Sequence, residues 1–307
     1  MYDVTCISDC CVDLIFGGLV RVPALGTEEY CQHLEMKAGG GANTPMGLAK
    51  LGARTAYISA VGQDSFGQAV MEQMAGAGIS LEYLQREKGF TTWVSAVLST
   101  GQDRAFASYG GTPFQLDRRS LTSILKKTRH IHTYLYYCRK FPFLLSMCQE
   151  QGVTVSVDMA WEPGQTLEDI QDVLEQAHIF LPNDKEACGL TGTGDVMVAL
   201  ERIARYCPYT VITCGSGGCV AARDGTIYKV SAASVEVKDA NGAGDLFNAG
   251  LLRAYGNGAS VEDQLRMAAA SGGLAVTYAG GMDEAYSADG VSALMRNITV
   301  TTIGKGE

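Results

Sequence analysis

The sequence predicts an α/β protein: a central, mostly parallel sheet covered by helices on both faces, with a small β-sheet projecting from it as a lid. Three observations carry this expectation. Short β-branched apolar runs alternate with helix-like segments, the rhythm of parallel strands joined by crossover helices. The 37 glycines among 307 residues fall at the ends of the apolar runs, where the chain must turn. Two stretches, Leu14–Lys37 and Phe90–Gly110, break the rhythm and supply the lid.

In order, Tyr2–Ser8 reads as the first strand and Asn43–Gly52 as the first helix. The stretch between them far exceeds the usual βα loop of about 2–6 residues. Arg54–Val61 and Phe66–Gly76 form the next strand and helix. Trp93, Ser95, Val97 and Ser99 alternate along the second stretch, as do Arg104, Phe106 and Ser108 after a turn at Gly101-Gln102-Asp103. That is a hairpin pattern. Buried strands follow at Ile131–Tyr137, Val153–Asp158, His178–Leu181 and Thr210–Thr213, with helices at Phe141–Gln151, Thr166–Gln176 and Asp195–Tyr206. Two helices close the chain, Gly244–Tyr255 and Ser260–Tyr278, the second rich in Ala and Gly and so suited to close packing. No repeat, low-complexity tract or linker interrupts the pattern. Residues 1–307 therefore read as a single unit, with lid segments inserted at about 14–37 and 90–110.

Composition narrows the function. With 24 Lys+Arg against 33 Asp+Glu the net charge is −9, which argues against a nucleic-acid partner. A hydrophobic content of 47% with 19% charged residues is that of a well-packed globular chain. No run approaches the roughly 18 apolar residues of a membrane span. The start, Met1-Tyr2-Asp3-Val4, lacks a basic and then apolar leader, so a cytoplasmic protein with reduced thiols is expected. The ten cysteines include no Cys-x-x-Cys pair and are expected to be small buried hydrophobes, with no metal assigned. His130 and His132, two apart, would share one face of a strand.

The strongest chemical signal is Val237–Gly250. A turn with two glycines, Gly242 and Gly244, runs straight into an apolar helix, so unpaired backbone N–H groups and the helix dipole face outward. Asp245 sits in the first turn, where a carboxylate accepts a proton beside a bound phosphoryl group or simply stabilises its own helix. No Walker-type Gly-x-x-x-x-Gly-Lys-Ser/Thr occurs, and no Gly-x-Gly-x-x-Gly follows the first strand. The second absence disfavours a nicotinamide-dependent oxidoreductase.

Asp239-Ala240-Asn241-Gly242-Ala243-Gly244-Asp245-Leu246-Phe247 resembles a signature of the ribokinase-like (PfkB) carbohydrate kinases. A second signature is matched by Gly39-Gly40-Gly41-Ala42-Asn43, Leu51-Gly52-Ala53 and Val61-Gly62-Gln63-Asp64-Ser65-Phe66-Gly67. The resemblance spans essentially the whole chain. It implies a ribokinase-like fold and ATP-dependent phosphorylation of a hydroxyl on a small sugar: ribose, a ketohexose or a sugar acid. ATP and Mg²⁺ are the implied cofactors, and a homodimer through the lid is the implied assembly.

The resemblance also assigns residues. Asp245 matches the catalytic base, and Gly242, Ala243 and Gly244 the anion hole. Asp13, Gly39, Gly40 and Asn43 match acceptor contacts. Asn183 and Glu186 match a motif organising magnesium and phosphates, although alone they read as a helix cap. Thr213, Gly215 and Gly218 resemble the nucleotide-contacting turn. Asp158 and Arg104 are secondary candidates. Family members often bind a monovalent cation near the 239–245 loop, where Ala240 and Asn241 replace the usual threonine-containing pair. A nucleoside kinase of the same fold is the first alternative, ranked second because no sequence pattern marks a base-stacking pocket. A non-catalytic sugar sensor is the other, disfavoured by the intact Asp245. Trp93 and Trp161 read as core or as stacking platforms.

Overall fold

The computed structural model describes residues 1–100, 104–159, 164–278 and 285–305. The chain opens with β1 (Val4–Ile7), β2 (Cys10–Leu19) and β3 (His33–Gly40), then reaches α1 (Asn43–Lys50), β4 (Thr55–Gly62) and α2 (Ser65–Gly76). A short β5 (Leu84–Glu87) precedes β6 (Trp93–Thr100) and β7 (Arg104–Tyr109). Next come α3 (Arg118–Leu125), β8 (His130–Tyr134), α4 (Leu135–Lys140), α5 (Leu144–Glu150) and β9 (Thr154–Asp158). They are followed by α6 (Gln171–Leu174), β10 (Ile179–Leu181), α7 (Asp184–Thr191), α8 (Val196–Ile203) and β11 (Tyr209–Thr213). The last elements are β12 (Cys219–Arg223), β13 (Thr226–Val230), α9 (Ala243–Gly256), α10 (Val261–Ala275), α11 (Ala288–Met295) and β14 (Val300–Lys305).

Ten strands form the main sheet in the order β14-β13-β12-β11-β10-β9-β8-β1-β4-β5. Pairing is parallel from β11 through β5 and antiparallel across β12, β13 and β14. Every residue of β1 and β4 is buried, as expected of strands with helices on both faces. Alternation sends Val4 and Cys6 into a core shared with α1, α2, α9 and α10, and Ile7 into one shared with α3, α5 and α8. The fold is thus the ribokinase-like three-layer arrangement the sequence suggests.

The second sheet has four strands in the order β3-β2-β6-β7, antiparallel at both outer pairs and parallel at β2–β6. It corresponds to the predicted lid, but its first strand begins at Cys10 rather than Leu14. Asp13 consequently lies within a lid strand. The 101–103 turn and Trp161 lie outside the described residues.

Several element boundaries differ from expectation, and α11 and β14 follow the two helices expected to close the chain. Residues 135–137 continue as helix α4, although their aromatic composition favours a strand. Packing overrides propensity here: Tyr137 stacks on Phe114 and Phe141, whose ring centroids lie 5.2 and 6.3 Å away. The predicted helix 141–151 shortens to α5. The 166–176 helix divides into a 3₁₀ turn, Glu168–Ile170, and α6. Its opening is held by Asp169, which accepts from the Thr166 amide and hydroxyl at 2.9 and 2.8 Å.

Candidate active site

The site forms where β1, β9, β10 and β11 end and α9 begins. Gly242 is the N-cap of α9 and adopts a left-handed conformation (φ 70°), which a side-chain-bearing residue enters only with strain. No side chain caps this helix; the Ala243 amide makes a long bond of 3.4 Å to the Ala240 carbonyl, and the helix start suits an anion. The turn before it is tied down by Asp239, which accepts from the Asn241 amide at 2.8 Å and pairs with Arg104 of the lid at 3.1 Å. Arg104 thereby joins the lid to the glycine loop.

Asp245 projects from the first turn of α9. Its Oδ1 accepts from the hydroxyls of Tyr134 (3.0 Å) and Thr44 (3.3 Å), and its Oδ2 from Asn43 Nδ2 (3.2 Å). Enclosure by protein pushes its pKa up; the three donors pull it down and the Asp13 charge pushes it up again. The net result lies above the ordinary carboxylate value.

Two cavities meet at this helix end. One, of about 470 Å³, is lined by Thr213, Gly215 and Gly218, by small side chains of α10, and by Ala243 and Gly244. The other, of about 520 Å³, is lined by Asp13, Gly40, Asn43, Asn241 and Asp245, among others. Consecutive residues of one helix start, Gly244 and Asp245, therefore face different cavities.

Most residues singled out from the sequence converge here. Asp158, the last residue of β9, accepts from Asn248 Nδ2 and the Met159 amide, both at 2.8 Å. Burial, then the charges of Asp245 and Glu186, hold its carboxyl well above the usual range. Asn183 and Glu186 form a reciprocal capping box on α7, with bonds of 2.9 and 2.8 Å, and Asn183 bridges to Thr213. Gly218 is demanded by its neighbours: a Cβ there would sit 2.0 Å from the Val230 carbonyl.

Gly39 departs from expectation. It does not line the second cavity; a Cβ there would fall 2.1 Å from Asp13 Oδ2, so its missing side chain makes room for that carboxylate. Cys11 departs as well. It lines the cavity instead of filling a core, and its thiol donates to Asp13 Oδ1 at 3.2 Å. Trp93 lines neither cavity.

Four residues were not anticipated. Tyr134, Tyr137, Thr44 and Asp9 are brought to the site by strand and helix ends distant in sequence. Tyr136 and Phe106, 46% and 53% exposed, also line the second cavity and provide the flat surfaces that no sequence pattern marked.

An anion-ready helix start beside an enclosed carboxylate, on a ribokinase-like fold, defines a phosphotransferase of the sugar-kinase type. A model described as "pfkB family carbohydrate kinase" matches residues 1–287, and the chain belongs to that family. It is an ATP-dependent carbohydrate kinase. It is similar to an uncharacterized sugar kinase of Archaeoglobus fulgidus, 29% identical over 227 residues that cover 71% of this chain and 89% of that one. A Klebsiella pneumoniae fructokinase is 27% identical over 305 residues, covering 90% and 94% of the two chains. The solved structure of Arabidopsis thaliana ribokinase complexed with ribose and ATP shares the fold, with TM-score 0.82 at 21% identity over 96% of this chain and 99% of that one.

Proposed function

We propose that this kinase transfers the γ-phosphoryl group of ATP to a hydroxyl of a small sugar, with Asp245 as general base. One observation carries the reading: the start of α9 is shared between two cavities, so a donor on Gly244 and an acceptor on Asp245 would meet at one point. The Arabidopsis ribokinase structure, with ribose and ATP together, supports assigning the two cavities to acceptor and nucleotide.

In this reading the nucleotide lies against Thr213, Gly215 and Gly218, its terminal phosphate at the amides of Gly242, Ala243 and Gly244. Asp13, Gly40 and Asn43 hold the acceptor, and Gly39 acts by seating Asp13. Asp245 takes the proton as the acceptor oxygen attacks the γ-phosphorus. A new O–P bond forms, the bond to the β,γ-bridging oxygen breaks, and ADP leaves. The raised pKa of Asp245 brings its basicity closer to neutral pH, where a general base is most effective. The charges of Asp245 and Glu186 raise the Asp158 carboxyl, a repulsion that a divalent cation would relieve, and Asn183, Glu186 and Asp158 would help organise Mg²⁺ when it is bound with the nucleotide. Bound there, Mg²⁺ neutralises phosphate charge.

Tyr136 and Phe106 on the acceptor wall favour a second reading, phosphorylation of a nucleoside whose base stacks on them.

Asp245→Asn tests the base. Asparagine keeps the shape and still accepts from Tyr134, so melting should be nearly unchanged. Turnover should fall by about 10²–10⁴-fold, the usual worth of a general base. A variant that phosphorylates at near wild-type rate would reduce Asp245 to a residue stabilising its helix.

A further inference from the structure

We propose that the acceptor is an uncharged polyol, a neutral sugar or the ribose of a nucleoside, and that the carboxylates of the acceptor cavity exclude sugar acids and sugar phosphates. The inference rests on reading that cavity as the acceptor site, and it narrows what the cavity takes.

Three carboxylates line the cavity: Asp9, Asp13 and Asp245. Among the described residues no lysine, arginine or histidine lines it, and the segments 101–103, 160–163, 279–284 and 306–307 contain no basic residue. Three cations near the site do not line it. Lys37, in register with Asp13, pairs with Glu35 at 2.8 Å. Lys140 donates to the Phe114 carbonyl at 3.2 Å and lies over the rings of Phe114, Tyr136, Tyr137 and Phe141. Arg104 is paired with Asp239.

Asp9 is the unassigned member. It follows β1, accepts the Tyr137 hydroxyl proton on Oδ2, and its own amide donates to that hydroxyl at 2.7 Å. Its Oδ1 has no hydrogen-bond partner among the described residues. Asp13 is arranged alike, with Oδ1 taken by the Cys11 thiol and Oδ2 without a hydrogen-bond partner among the described residues. Each carboxylate therefore offers one open oxygen, suited to a hydroxyl donor and offering nothing to an anion. Burial already holds both carboxyls above their ordinary pKa. A carboxylate or phosphate brought between them must repel them or force a proton onto one; the Lys140 charge offsets part of that on Asp9 but lines no part of the cavity, and Asp13 and Asp245 keep theirs. Discrimination by like charge is stronger than any loss of fit among neutral sugars.

The test is a coupled kinase assay on the full chain with three sets of acceptors. Ribose and fructose form the neutral-sugar set, adenosine and uridine the nucleoside set, and gluconate and fructose 6-phosphate the anionic set. The better neutral set should exceed the anionic set in kcat/KM by at least about 10²-fold, as expected for uncompensated like charges at a few ångströms. Asp9→Asn, which can still accept from Tyr137, should narrow that ratio by about tenfold through a gain on the anionic acceptors. An anionic compound as the best acceptor overturns the inference and leaves the kinase reading intact. An unchanged ratio in Asp9→Asn removes Asp9 from it. If no acceptor in any set is phosphorylated by a chain that binds ATP, the assignment of the acceptor cavity itself falls.

Discussion

Asp245 is an enclosed carboxylate that three donors keep ionisable. Tyr134 makes the shortest of these bonds, its hydroxyl reaching Oδ1 at 3.0 Å from the end of β8. A hydrogen bond to the charged form favours it, so Tyr134 lowers the pKa that burial raises. Removing the hydroxyl should therefore raise the pKa. The base works only when deprotonated, so the acid limb of kcat/KM in Tyr134→Phe should move to higher pH. The alkaline plateau should change by less than about tenfold, the worth of one neutral hydrogen bond. A pH profile overlying that of the wild type would mean that Tyr134 merely packs. Sequence gave no access to this residue: a tyrosine at the end of an aromatic run carries no mark of the carboxylate 111 positions on.

Among the elements, α2 ties the lid to the main sheet. Its N-cap, Asp64, accepts from the Gly67 amide at 2.7 Å, and also from the Thr92 amide (3.0 Å) and hydroxyl (2.7 Å) just before β6. The family signature at Gly62–Gly67 thus has a mechanical content: one carboxylate caps a helix and fixes the root of a lid strand. Asp64→Ala should cost about 1–2 kcal/mol from the cap, with a further loss from the unpaired Thr92 amide. Calorimetry at neutral pH measures it. Burial works against ionisation of Asp64, but the bonds from Thr92 and Gly67 prevail and leave its pKa lowered. The stabilisation is therefore complete above the ordinary carboxylate pKa and is lost as pH falls through the lower, folded value. Wild type and variant should converge in melting temperature in acid. A gap that persists there would assign the effect to packing instead.

At the scale of the molecule, the parallel centre of the sheet was legible because fully buried strands leave continuous apolar runs, as in β4. The antiparallel edge was not read, although Asp224-Gly225 between β12 and β13 is a hairpin turn by composition, with φ of 49° and 77°. The glycine loop and Asp245 were legible from a contiguous motif. Asp9, Cys11 and Tyr134 were not, since each reaches the site only through the crossing of the lid and the sheet. The lid's assembly state follows from its pleat. Residues in register share a face, so Leu14 and Phe16 of β2, Met36 and Leu34 of β3, and Ala96 and Leu98 of β6 lie together, with Ala107 and Ala105 of β7. The opposite face carries Asp13, Ser95 and Phe106, which line the second cavity. Leu14 packs against the main core, but the remainder of this apolar face, with Leu34 62% and Met36 43% exposed, is what a protein interface leaves uncovered in a single copy. We propose that a second lid covers it, giving a homodimer whose two acceptor cavities lie on the outer faces of the paired lids. The wild type should sediment as a dimer at micromolar concentration. The double substitution Leu34→Asp, Met36→Asp should yield a folded monomer, because charges on that face cannot be buried against a second copy without several kcal/mol of desolvation. A wild type that sediments as a monomer with and without acceptor would leave the face to another partner and remove the dimer from this account.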